Sequence, residues 1–338
     1  MYCPADRYGS PRDLANCTGR VLARELTLAT MQASKTPGLQ PVQEARGLWL
    51  GVAGITVFAL TLPMTRLAVG TPDAPQMSGL FIGFGRAVVA ALLSIAYLAV
   101  VRAARPARED LLPLAITSLG VVFGFPLLTS IAMRYVQAVH ASVIVGLLPL
   151  ATAAVGAWLH RQRPSPGFWA CAIAGAALVV GFALSRGSEG TANAHLADLL
   201  LLAAVACAAV GYAWGARLSQ RMPAEHVICW ALVLSLPLTV PGALLTYPQQ
   251  PVQASAWWAF GYVAVFSMWL GFFAWYRGLA EGGTVRVSQV QLLQPFLSML
   301  FAVPLLGETL DAVTLAFALA VIATVFAGKK MPVRAIPA

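Results

Sequence analysis

The sequence predicts an all-α polytopic membrane protein, with ten transmembrane helices built as two inverted five-helix repeats. Three observations carry that expectation. The first is composition: of 338 residues, 59% are hydrophobic and only 10% charged, and the mean hydropathy is +0.75. A soluble domain carries about 25% charged and about 45–50% apolar residues, so this chain has too few charges to cover a water-facing surface. A soluble enzyme, a secreted disulfide scaffold and a disordered chain are excluded. The second is spacing. Uncharged windows recur along the chain, and at about 20 residues per membrane helix its length accommodates roughly ten of them. The third is a repetition of residues at a fixed offset.

Residues 1–46 differ from the rest of the chain. They hold six basic and four acidic side chains among scattered Pro and Gly, with no apolar core of a signal peptide. This stretch reads as a cytoplasmic N-terminal tail without stable structure, and Met31 offers an alternative start that leaves the membrane region intact. Asn16-Cys17-Thr18 matches a glycosylation sequon, which a cytoplasmic tail would not use. Beyond the tail the candidate spans are 47–69, 78–101, 111–132, 138–159, 166–185, 197–217, 226–246, 255–276, 284–306 and 311–328. Small charged or Pro/Gly clusters separate them. The longest charge-free stretch, His226 to Tyr276, exceeds one span, and Tyr247-Pro248-Gln249-Gln250-Pro251 divides it. Residues 329–338 form a C-terminal tail.

Basic residues set the orientation, because cytoplasmic loops of membrane proteins are enriched in Lys and Arg. With the N-terminus inside, 18 of them fall on the cytoplasmic side. Only Arg66, Arg134 and Arg186 lie toward the other, and Arg86 lies within a span. Both termini are therefore expected in the cytoplasm. The net charge of +9 follows from the same loops. No basic block with interleaved aromatics points to nucleic acid.

The fourth and ninth windows share a pattern. Ser142 precedes Gly146-Leu147-Leu148-Pro149-Leu150, and Ser288 precedes Leu292-Leu293-Gln294-Pro295-Phe296, an offset of 146 residues. Arg66-Leu67 and Arg217-Leu218 match at an offset of 151. Five spans per unit is an odd number, so the two units, 47–185 and 196–328, must face opposite ways. The loop after the fourth window is basic (Arg161, Arg163) and the loop after the ninth acidic (Glu308, Asp311). Inverted repeats of this kind build many secondary transporters, with the substrate near the bilayer midplane between the halves.

Five plus five spans, a proline inside the fourth and ninth, and Leu305-Leu306-Gly307-Glu308-Thr309 after the ninth resemble the drug/metabolite transporter superfamily, EamA type. The resemblance covers about residues 48–328 and is strongest over Trp275–Gly328, more loosely over Ala132–Gly181. The first half departs from the family pattern, with His160-Arg161-Gln162-Arg163-Pro164 where an acidic element is usual. What the resemblance implies is metabolite movement through a central cavity lined mainly by spans 1, 3, 4, 6, 8 and 9. Its members carry amino acids, sugars, nucleotide precursors and drugs, so it does not name the cargo.

Candidate functional residues are few. Arg86 sits inside the second window, where charge is costly and by default functional. It is either a counter-charge for an anionic or carboxylate-bearing substrate, or a pin for a carbonyl cluster, or else a side chain that packs between helices on backbone carbonyls or snorkels. On the ninth window Ser288, Gln291, Gln294 and Ser298 recur at three- and four-residue steps, as cargo ligands or as interhelical bridges. Tyr212, Trp214 and Trp269 are aromatic cavity candidates, and His140 is either a cavity group or an interfacial one. Pro149 and Pro295 each remove a backbone hydrogen bond and would loosen their helices.

No acid lies mid-span, which argues against proton coupling through a membrane-embedded carboxylate. No catalytic pair, phosphate loop or metal-ligand spacing occurs. Cys171, Cys207 and Cys229 fall in apolar runs, and no cysteine pair has CxxC spacing. An enzyme, a cofactor and a metal are not expected. The expected function is a secondary transporter, an exporter of small metabolites such as amino acids across the inner membrane. Drug or toxic-cation efflux is the alternative within transport, and a non-transporting scaffold or sensor the alternative outside it. The partners are a small-molecule substrate and the lipid bilayer, without nucleic acid. Monomer and homodimer both stay open.

Overall fold

A computed structural model describes residues 41–159, 162–187, 192–219, 221–282, 289–331 and 333–335. Residues 1–40, to which most of the expected tail belongs, and Ser288 lie outside the described residues. Among the described residues the fold is helical, apart from one short antiparallel pair of Gln162–Pro164 with Val333–Ala335. Among the described residues, seven helical stretches are long and apolar enough to cross a membrane: Ala45–Val69, Gly79–Val100, Arg108–Ala132, Ala138–Leu159, His195–Leu218, Ala224–Leu245 and Ala254–Gly278. Three shorter apolar helices, Pro166–Phe182, Val290–Leu306 and Ala312–Gly328, occupy the remaining expected windows.

Several stretches are not single helices. The first is α1 (Pro41–Ala59) and α2 (Thr61–Val69), joined at Leu60, where Pro63 offers no N–H while Leu60 and Met64 keep their bonds to the Thr56 and Leu60 carbonyls at 3.4 and 3.0 Å; the second is α3 (Gly79–Val100). The third runs from α4 (Leu111–Thr117) through a π-helical segment, Ser118–Gly124, into α5 (Phe125–Ala132). The fourth is α6 (Ala138–Val145) and α7 (Leu148–Leu159), and α8 (Pro166–Gly187) comes next. The second half holds α9 (Ala192–Leu218) and α10 (Ala224–Leu245). Then come α11 (Ala254–Tyr262), a second π-helical segment at Val263–Leu270, and α12 (Gly271–Gly282). A 3-10 segment, Gln289–Leu293, leads into α13 (Gln294–Leu306), and α14 (Ala312–Lys330) closes the bundle.

Local chemistry fixes the ends. The Ser78 hydroxyl accepts from the Phe81 N–H at 3.0 Å, Ser165 from Phe168 at 3.3 Å, and the Asp311 carboxylate from Thr314 at 2.7 Å. Each satisfies one of the amides a helix start leaves open. Ser165 and Asp311 stand 146 residues apart, the offset of the two proline motifs. Gly307, at φ 67°, ends α13 in the left-handed conformation that glycine takes without penalty.

The outer surface is apolar. Leu245 is 85% exposed and Trp258 82%, which suits a lipid-facing wall and not a watery one. Inside, α3 packs along α10, α8 along α14, and α6 along α13. The third stretch packs on α9, and the first packs on the eighth, through α2 with α11. The crossings of the third stretch on α9 and the first on the eighth bring backbones close at glycines. A Cβ on Gly120 would meet the Cys207 carbonyl oxygen at 2.5 Å and the Gly211 backbone at 2.7 Å. One on Gly278 would meet the Gly51 backbone nitrogen at 2.7 Å.

Those neighbours are backbone atoms and cannot rotate away. Gly120→Ala is therefore expected to push α9 outward and to cost about 1–3 kcal/mol as an overpacked contact. It should show as a lowered melting temperature of the detergent-purified protein. Gly156→Ala, where a Cβ meets nothing within 4 Å, should melt like the wild type.

Candidate functional site

The interrupted stretches surround one central cavity. Thr61 follows the junction at Leu60, Val121 belongs to the first π-helical segment, and Ser267 and Met268 belong to the second. Val145 and Leu148 flank the break in the fourth stretch, and Gln294 opens α13. Tyr212 enters from α9 and Arg86 from α3. The cavity has a volume of about 30 Å³, room for two or three waters, each of which needs roughly 10–15 Å³. Both sequence-matched halves contribute to its wall.

The side chains differ in their partners. The Thr61 and Ser267 hydroxyls share a hydrogen bond of 2.8 Å. Arg86 is 1% exposed, and among the described residues it makes no hydrogen bond and no ion pair; its Nε is sealed without a partner. It therefore neither snorkels nor rests on carbonyls. A second, smaller space of about 10 Å³ adjoins the cavity between the fourth and ninth stretches. It brings together Gln291, Gln294, Pro295, Ser298, Ser142 and Pro149, with Gln294 shared between the two spaces.

The structure revises some expectations. Pro149 and Pro295 are each the second residue of a helix that follows an interruption of its span, the turn at Gly146-Leu147 and the 3-10 segment Gln289–Leu293, the place where a residue without an N–H is tolerated. Trp214 does not line the cavity. It borders a separate pocket of about 310 Å³ with Glu109, Asp110 and Arg221, and the Arg217 guanidinium lies 5.4 Å from its ring centre. Trp269 is also elsewhere, in contact with Tyr97 and Phe273. One step along a helix turns a side chain by about 100°, so Met268 can face the cavity while Trp269 faces away. His140 hydrogen-bonds the Asp198 carboxylate at 2.6 Å and lies against Phe182, outside the cavity wall.

Two sets of polar contacts close the ends of the bundle. At one end Glu308 accepts from the Ala138 and Val139 N–H groups, both at 2.8 Å, and so caps α6 from the other half. Beside it Arg66 donates to the Met133 carbonyl at 2.5 Å, and Arg134 donates to the Val69 and Met77 carbonyls at 3.0 and 2.6 Å. At the other end Arg221 meets Asp110 at 3.1 Å and Glu109 at 3.3 Å, and Arg46 and Arg277 meet Glu281. The Thr61–Ser267 pair, the His140–Asp198 pair and the double cap by Glu308 had no signal in the sequence beyond residue type. Each joins positions about 60–210 apart in the chain, and such pairing is invisible to helical periodicity.

Comparison with known proteins places this geometry in context. The model of the EamA-like transporter family matches residues 45–184 and again 195–327. An uncharacterized transporter of Bacillus subtilis strain 168, YdeK, is 42% identical over 285 residues, covering 83% of this chain and 96% of that protein. An uncharacterized transporter of Haemophilus influenzae is 29% identical over 129 residues, 37% of this chain and 76% of its own length. A crystal structure that is 19% identical covers 83% of this chain and 97% of its own, with a TM-score of 0.57, which is a likeness of fold.

Glu308 titrates in a recognisable direction. Burial raises its carboxyl above the ordinary value of 4.5, while the Val139 and Ala138 amides, Arg66 and His140 pull less strongly the other way. The folded protein thus holds this proton more tightly than the unfolded chain. The corresponding stability is fully present below about 4.5 and is lost as pH rises through the raised pKa. The melting temperature of the wild type relative to Glu308→Gln should therefore fall between about pH 4 and about pH 7. A difference that stays constant over that range would mean that Glu308 is not buried as described.

Proposed function

The chain belongs to the EamA-like transporter family, and from that premise we propose that it is a secondary transporter that exports small metabolites such as amino acids by alternating access. The observation that carries the reading is the central cavity, walled by both matched halves and by every interrupted stretch. Helix breaks at membrane depth are tolerated where they are buried in protein or line a cavity, and transporters place their substrate at such breaks. In this reading the three shorter apolar helices complete ten spans, and residues 47–185 and 196–328 are the two inverted repeats. The pairing of helices supports it. Exchange of the halves maps the packing of the first stretch on the eighth onto that of the sixth on the third, and leaves three further pairs in place.

Contacts join the halves at both ends and the cavity between them holds only two or three waters, while a larger space of about 460 Å³ lies at the Glu308 end beside Arg66 and Gln137. Opening would separate the halves at a single end at a time and widen the cavity for cargo. The distribution of basic residues supports a cytoplasmic position of both termini in an inner-membrane protein, and the outward direction is part of the same proposal. Efflux of cationic drugs fits less well, since the charged group in the cavity wall is Arg86.

Flux of radiolabelled amino acids through proteoliposomes of the full chain tests the reading. Saturable flux is expected, and Gln294→Ala should weaken apparent affinity about 3- to 10-fold, the worth of one hydrogen bond of about 0.5–1.5 kcal/mol. The amount of folded protein should not change. With no acid in the cavity wall, a protonophore should leave equilibrative flux unaltered; a strict proton requirement would move attention to His140 and Asp198. Protein that passes no metabolite in either direction would leave the scaffold or sensor reading in its place.

A further inference from the structure

We propose that Arg86 anchors a carboxylate on the cargo, so that the substrates are small carboxylates with an apolar remainder. This rests on the transporter reading and adds a substrate class to the same cavity. A guanidinium stays charged at every working pH. Buried without a counter-ion it is among the most expensive groups a protein can hold. Arg86 is in that situation: 1% exposed, in the cavity wall, and without hydrogen bond or ion pair among the described residues. The acids that could neutralise it are engaged at the ends of the bundle, Asp110 by Arg221, Asp198 by His140, and Glu308 by the Ala138 and Val139 amides.

The missing partner is therefore an anion that arrives in the cavity. The planar fork of arginine matches a carboxylate with two parallel hydrogen bonds. Opposite charge is all the wall lacks. Thr61, Ser267 and Gln294 supply neutral donors and acceptors for an amino or hydroxyl group, and Phe58 and Phe272 supply apolar surface. A cation would be repelled by Arg86 and would find no acid to hold it.

The test uses the full chain in detergent and reads melting temperature against added probe. Leucine and 4-methylvalerate should each raise it by roughly 3–6 °C at saturation. Leucinamide and 4-methylvaleramide, which lack the carboxylate, should leave it unchanged. Arg86→Met should melt at or above the wild type without probe, because it removes an uncompensated buried charge, and should lose the carboxylate shift. Arg86→Lys, which keeps the charge but not the fork, should retain a smaller shift and guards against a Met variant that fails to fold. Acids and amides acting alike, or no shift with any acid, would overturn the proposal. So would a Met variant that melts lower yet still responds to carboxylates. A sodium chloride series against sodium sulfate at equal ionic strength is the second arm, and a chloride shift as large as that of leucine would assign the site to an inorganic anion instead. If leucine binds the wild type through Arg86 but nothing crosses the liposome membrane, the anion site stands and the transport reading falls.

Discussion

A bilayer offers no water to backbone amides and carbonyls, so a chain can leave regular helix at membrane depth only where protein or a wet cavity receives the freed groups. Much else in this structure depends on that constraint. Among the described residues, five departures from α-helix gather around one cavity: Leu60, the π-helical segments 118–124 and 263–270, the turn at Gly146-Leu147 and the 3-10 segment 289–293. Thr61, Val121, Ser267, Leu148 and Gln294 are in or beside them and border the same cavity. The helices on the periphery obey the opposite rule. α3, α8 and α14 run without interruption, and their exposed sides are apolar, as with Leu92, Ile173 and Leu319.

The two π-helical segments add a second regularity. They begin at Ser118 and Val263 and end at Gly124 and Leu270, offsets of 145 and 146 residues. The proline motifs and the two capped helix starts repeat at that same distance. A π-helical turn carries one residue more than an α-turn and shifts the register of every side chain beyond it. Two of them at matched positions let the third and eighth stretches present side chains to the cavity while still packing closely on α9 and on the first stretch. Glycine makes that close packing possible. Gly120 against Gly211, and Gly278 against Gly51, are points of close backbone approach, as expected where packing rather than solvent exclusion holds helices together in lipid.

The sequence made the helices legible and the site only partly so. Every expected window contains helix among the described residues, because uniform hydropathy and charged or Pro/Gly separators are local signals. Gln291, Gln294 and Tyr212 were legible as polar groups in apolar surroundings, and the structure brings them to the cavity or to the space beside it. Trp214 and Trp269 satisfied the same criterion and lie elsewhere, since depth in a window does not say which way a side chain points. The position of Arg86 was legible, its isolation was not. Whether a buried charge has a partner depends on residues far away in the chain.

The ends of the bundle are held by unequal contacts, and the difference bears on how such a protein could open. Glu308 accepts from two amides of α6, and the His140–Asp198 pair is only 15% and 11% exposed. Hydrogen bonds shielded from water contribute about 0.5–1.5 kcal/mol each. At the other end Arg221 is 52% exposed and Glu109 72%, and exposed pairs of that kind contribute about 0–1 kcal/mol. Asp110, 9% exposed, strengthens that end only through the same half-solvated arginine. On the alternating-access reading, the end that holds Arg221 opens more readily than the end that holds Glu308. On the same reading, the contacts at the Glu308 end would yield only when occupancy of the cavity compensates their loss.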